Sequence, residues 1–293
     1  MLRSMRREAF ALPEPEVLRG ALMAVLKFLA VALLAGALSR AVLVRLAPMA
    51  GLAPFAMALF AAGLSVGLNP AALLAGCLAG AVDGPLEAFN LSLPIGCAAI
   101  LGGSLLWGLI GPALGRLRAA LTRQPEKQAR LPNDNAVAGA LAGLGVLLPG
   151  LIYAGFAPWP SAQALAAALS ALAAAPLLRT ALKVRPHSRC LLAEERAGLF
   201  LLICAVAAGV YALWPPAALG LALWLAALAA PAGALIGLGT GAAMLLVSGD
   251  ARCAAVMGIC GAGVQLCGRL PRPLRAGAGS AGATGAAGAG SGT

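Results

Sequence analysis

The side chains able to do chemistry are few, and they cluster at the ends of long apolar runs. Arg40 and Arg45 lie five apart after the first run. Two readings are open for them: a polar path or contact with an anionic headgroup, or reaching back to the membrane interface on their aliphatic stems. Asp83 and Glu87 lie four apart after the third run and read either as a cation pair or as an exposed acidic loop. Asn69-Pro70 has the form of a helix start, with the amide capping and the proline at the first helical position. Glu194 and Glu195 precede a later run, where their charge meets the positive end of its helix dipole. His187, the only histidine, stands among Lys183, Arg185 and Arg189 and reads as a solvated loop residue.

Larger motifs are missing. The sequence holds no GxxxxGK[ST] phosphate loop and no HExxH. No apolar run carries the several carboxylates that ion-coupled pumps use. The seven cysteines form no CxxC pair and none adjoins the histidine, which argues against zinc or a disulfide framework. Cys253, Cys260 and Cys267 repeat every seven residues, as a metal or redox face or as a stripe of small packing residues. Neither a cofactor nor a metal is expected for this chain.

The elements that must position these residues are helices in lipid. Hydrophobic residues make up 61 % of the 293 and charged ones 11 %, against about a quarter in soluble domains. Uncharged runs such as 136–158 and 197–213 have about the length that crosses a bilayer core, where only internally hydrogen-bonded backbone is tolerated. The expected fold is all-α, a polytopic transmembrane bundle with spans near 21–38, 52–66, 69–82, 93–114, 136–156, 161–178, 197–213, 215–230, 232–247 and 251–267. Several are short enough for half-helices or re-entrant pairs. Residues 1–20 read as a cytosolic tail, 21–268 as the membrane domain, and 269–293 as a basic and then Gly/Ala/Ser-rich flexible tail.

With ten spans and both ends inside, 18 of the 21 Lys and Arg residues fall on the cytosolic side, leaving Arg40, Arg45 and Arg252 outside. The net charge of +11 therefore follows the positive-inside rule and does not indicate a nucleic-acid partner. The bilayer of the cell membrane is the first partner expected. The glycines at 233, 237 and 241 align on one helix face, which suits either self-association or packing within the chain.

Residues 40–62 begin Arg40-Ala41 and lead into Pro54-Phe55-Ala56-Met57-Ala58-Leu59-Phe60-Ala61-Ala62. This stretch resembles the early membrane region of the stage II sporulation protein E family, with its "Arg-Ala" span end and "Pro-Phe-Ala-x-Ala-Phe-Phe-Ala-Ala" helix. The Glu194-Glu195 start of the seventh span and the glycine-rich ninth span followed by Ser248-Gly249-Asp250 are similar to it too. The resemblance covers roughly 21–268 and implies the ten-span anchor of a metal-dependent PP2C-type serine phosphatase acting at the sporulation septum. It also implies a division-septum protein or a cytosolic phosphatase module as partner. The chain ends where that family's cytosolic domains begin, and manganese belongs only to the missing phosphatase domain. The expectation is thus a non-catalytic membrane anchor that places a cytosolic effector at the division septum. A small permease, for which Arg40, Arg45, Asp83 and Glu87 would matter, is the alternative; a membrane enzyme is disfavoured by the missing motifs.

Overall fold

The computed structural model describes residues 15–47, 50–83, 88–122, 134–155, 157–184, 192–228 and 232–269. Ten helices occupy most of them: α1 (Pro15–Arg40), α2 (Pro54–Val66), α3 (Pro70–Ala81), α4 (Ser92–Thr122), α5 (Asp134–Ala154), α6 (Pro158–Lys183), α7 (Ala193–Leu213), α8 (Pro215–Leu228), α9 (Gly233–Ser248) and α10 (Ala251–Arg269). Five of them are long and apolar enough to cross a membrane, and five are shorter apolar helices. Two small antiparallel strand pairs complete the fold: β1 (Val44–Ala47) with β2 (Ala50–Leu52), and β3 (Val82–Asp83) with β4 (Ala88–Phe89). The sequence reading did not anticipate either pair.

Local chemistry sets many of the boundaries. Pro54, Pro70 and Pro158 open their helices at a position whose N–H has no intrahelical partner. Gly67 closes α2 with a φ of 83°, and its N–H turns back to the Gly63 and Leu64 carbonyls. Several boundaries differ from expectation, among them the end of α6, which runs to Lys183 and not to 178. α1 starts at Pro15, inside the stretch read as a tail, and α4 runs to Thr122, past the expected loop start at residue 115. Both extensions carry charge, Glu16 and Arg19 in α1 and Arg116 and Arg118 in α4, and continue the helix beyond its apolar span.

Neighbouring helices run antiparallel. Gly139 and Gly143 of α5 meet Leu172 and Ala168 of α6, and Gly237 and Gly241 of α9 meet Gly261 and Ala254 of α10. Consistent directions through the chain put the start of α1 and the finish of α10 at the same end. The centre is α2, only 13 residues long, which buries Ala56 through Gly63 without a break. It is enclosed by α1, α3, α4, α5 and α6. Leu59, Phe60, Leu73, Ile100 and Leu178 fill this main core. A smaller cluster of Ala207, Ala218, Ala222, Met244 and Met257 joins α7 to α8, α9 and α10. Outward faces stay apolar, with Leu33, Leu105, Leu109, Ile152 and Ile259 exposed, as lipid-facing helices require. This is an all-α, membrane-type protein.

Candidate functional site

The polar residues gather at two ends. At one, α1 stops at Arg40 and the chain turns through β1 and β2 before entering α2. Arg45 pairs across the hairpin with Gly51. Irregular backbone here needs partners, and Asn90 supplies them. Its Oδ1 accepts from the Gly51 N–H at 3.1 Å and its Nδ2 donates to the Gly51 carbonyl at 2.8 Å. Ser92 Oγ donates to the same carbonyl at 2.5 Å. Glycine at 51 leaves room for this clamp: a Cβ there would sit 2.9 Å from Val42 Cγ1 and 3.0 Å from Asn90 Nδ2, so those side chains would have to shift.

This hairpin end forms a cavity of about 240 Å³ lined by Ser39, Arg40, Arg45, Asn90, Tyr211 and Ser248, among others. Tyr211, on the last turn of α7, lies with its hydroxyl 2.9 Å from Cys253 Sγ on α10. Five elements, from α1 at Ser39 to α9 at Ser248, thus meet in one pocket. Two guanidiniums and several hydroxyl or amide groups form a donor-rich surface that suits an oxyanion. Arg40 is half-buried and Arg45 exposed, so the pocket opens to the surface.

Of the other residues singled out in the sequence, Asn69 caps α3, accepting from the Ala71 N–H at 2.9 Å, and Pro70 is the first helical residue. Pro54 is buried at the start of α2, and Phe55 packs partly buried against the main core. Glu195 accepts from the Leu192 N–H at 2.8 Å and so caps α7, with Glu194 beside it in the first turn. Asp83 lies on β3, paired through its backbone with Ala88. Glu87 and His187 lie outside the described residues.

The opposite end holds a residue that the sequence reading had assigned to a cytosolic loop. Arg179 lies on α6 and its side chain is only 8 % exposed. Its Nε donates to Ser65 Oγ at 3.0 Å, Nη1 to Asn135 Oδ1 at 2.5 Å and Nη2 to Asp134 Oδ2 at 2.7 Å. One guanidinium therefore ties the finish of α2 and the start of α5 to α6. The usable signal was the Asp134-Asn135 pair entering an apolar span, with one arginine inside the next.

The stripe of late glycines faces inward. A methyl on Gly233 would sit 3.0 Å from the Gly261 carbonyl, and one on Gly237 or Gly241 would sit within 2.9 Å of Gly261 or Ala254 Cα. The face considered for self-association is therefore covered by α10 of the same chain. Among the described residues, Cys77, Cys97, Cys204, Cys253 and Cys260 are free, and no three His, Cys, Asp or Glu residues converge. No family model, curated protein or solved structure matches the chain.

Proposed function

We propose that this chain is a ten-span anchor in the cell membrane with both ends cytosolic, related in role to the membrane region of the stage II sporulation protein E phosphatases, and that it positions a cytosolic effector at the division septum. The supporting observation is the alternation of the ten helices, which returns the first and last to the Arg179 end. That end carries most of the basic residues, so the positive-inside rule assigns it to the cytosol. A platform of this form can hold a joined or recruited module close to the membrane, where a flexible tether raises its effective concentration. Phosphoester hydrolysis of the PP2C type uses clustered carboxylates around two metals, and in this reading that chemistry belongs to the effector.

A fluorescent domain fused after Thr293 in a spore-forming host should concentrate at division septa. A uniform membrane signal would reject the septal assignment. The detergent-solubilised chain, given manganese and a phosphoserine protein, should show no turnover, and metal-dependent turnover would reject the anchor reading. The two-arginine pocket supports a second reading, a small permease for anions. Uptake by vesicles containing the chain, lost on Arg45→Gln, would favour it.

A further inference from the structure

Next to the two-arginine pocket lies a second cavity of very different character. Helix α1 is gripped on two sides: Gly76 and Gly80 of α3 touch the α1 backbone at Ala32 and Gly36, and Gly209 of α7 touches it at Ala37. Over α1, between these grips, runs a trough of about 590 Å³ lined by Ala30, Leu33, Leu34, Val206, Val210 and Leu213. That volume is within the range of ligand sites, about 300–1,000 Å³. The trough is open along its length and almost wholly hydrocarbon, and Leu33 and Leu213 on its rim are 73 % and 55 % exposed.

At the hairpin end the trough reaches Arg40 and Gly80, and both residues also wall the two-arginine pocket. An apolar channel parallel to the spans thus leads directly into a donor-rich cationic site. The junction is at interfacial depth: Trp214 follows Leu213 at the finish of α7 and is 65 % exposed, and Trp159 at the start of α6 is 74 % exposed.

We propose that trough and pocket together form one binding site for an anionic membrane phospholipid. An acyl chain lies along α1 between α3 and α7, and the phosphate meets Arg40 and Arg45, with Asn90, Tyr211 and Ser248 around it. A free anion would use the pocket and leave the trough unused. A neutral or zwitterionic lipid would use the trough and gain less from two guanidiniums. Only an anionic amphiphile matches both halves. This site is independent of the anchor reading, since it concerns the hairpin end and not the effector side.

The test uses the full chain in detergent, with retained lipid measured by native mass spectrometry against phosphatidylglycerol and phosphatidylcholine of identical chains. Phosphatidylglycerol should be retained about tenfold more tightly, the scale of one charge-assisted hydrogen bond. Arg45→Gln, at an exposed position that leaves the core untouched, should erase most of that preference. Ala30→Trp, which fills the trough from an exposed position, should weaken retention of both lipids. Equal retention of the two lipids, or a preference unchanged in Arg45→Gln, would overturn the site. Displacement of phosphatidylglycerol by millimolar inorganic phosphate, with Ala30→Trp without effect, would identify a free-anion pocket and overturn the lipid assignment.

Discussion

A buried guanidinium is tolerable only where its nitrogens find partners, and each of the three in Arg179 has one. Its carboxylate partner Asp134 is 77 % exposed, so the ion pair itself contributes little. The contacts to Ser65 and Asn135 fill the inner directions. Asp134→Ala should therefore cost under about 1 kcal/mol, whereas Asn135→Leu strands a donor and should cost about 1–3 kcal/mol. Thermal unfolding of the two variants in one detergent gives the comparison, and equal losses would contradict it. Asn90→Ala removes both bonds to Gly51 and should cost about 2–3 kcal/mol, with the hairpin exchanging its amide hydrogens faster. The Asn69 cap was legible in sequence because its partner is two residues away. Arg179 was not, because its partners are 44 to 114 residues distant and no periodicity announces them. A similar distance hid Asn90, whereas Arg40 and Arg45 were visible as two of the three basic residues that the charge count leaves outside.

Among the elements, all ten helices were legible, since apolar runs bounded by proline, glycine and charge mark them directly. The hairpin of β1 and β2 was not. Its first strand, Val44-Arg45-Leu46-Ala47, is only four residues long, too short for alternation to tell a strand from a helix end. What joins the helices is close backbone approach, because in lipid burial of an apolar side chain gains little from leaving water. Gly209 is the sharpest case, packed directly on the Ala37 carbonyl, whereas a Cβ on Gly220 would meet nothing within 4 Å. Gly209→Ala should separate α7 from α1 and cost roughly 1–3 kcal/mol, the range for overpacking. Gly220→Ala should be neutral or stabilising by up to about 1 kcal/mol. Unfolding midpoints of the pair decide the matter. Because Gly237 and Gly241 already pack on α10, Gly237→Leu should destabilise the monomer rather than dissolve a dimer.

For the whole molecule, the alternation of helix direction makes a prediction that labelling can read. In a cysteine-free background, Cys at Trp159 should react with an impermeant thiol reagent applied to intact cells, and Cys at Lys183 should not. These positions bracket one helix, α6, so the same labelling pattern at both would refute the topology. Composition made the class readable beforehand, and the direction that charge placement assigns is what this labelling tests. Which helix occupies the centre was not readable, because α2 and α3 have nearly the same length and apolar character, and only the neighbours that enclose α2 distinguish them.

That central position also carries a consequence for biosynthesis. α2 emerges from the ribosome second, yet α5 and α6, which wall it, are complete only when Lys183 has been added. At about 5–20 residues per second, the 117 residues from Val66 to Lys183 take roughly 6–23 seconds. Throughout that interval a helix about 20 Å long stands in a hydrocarbon layer about 30 Å thick with part of its surroundings missing. The nascent chain is then an incomplete shell around a segment too short to hold its own place, and membrane quality control has its best opportunity. In a pulse-chase experiment, a chain halted after residue 122 should be cleared quickly, and one halted after residue 184, with every neighbour of α2 present, should persist.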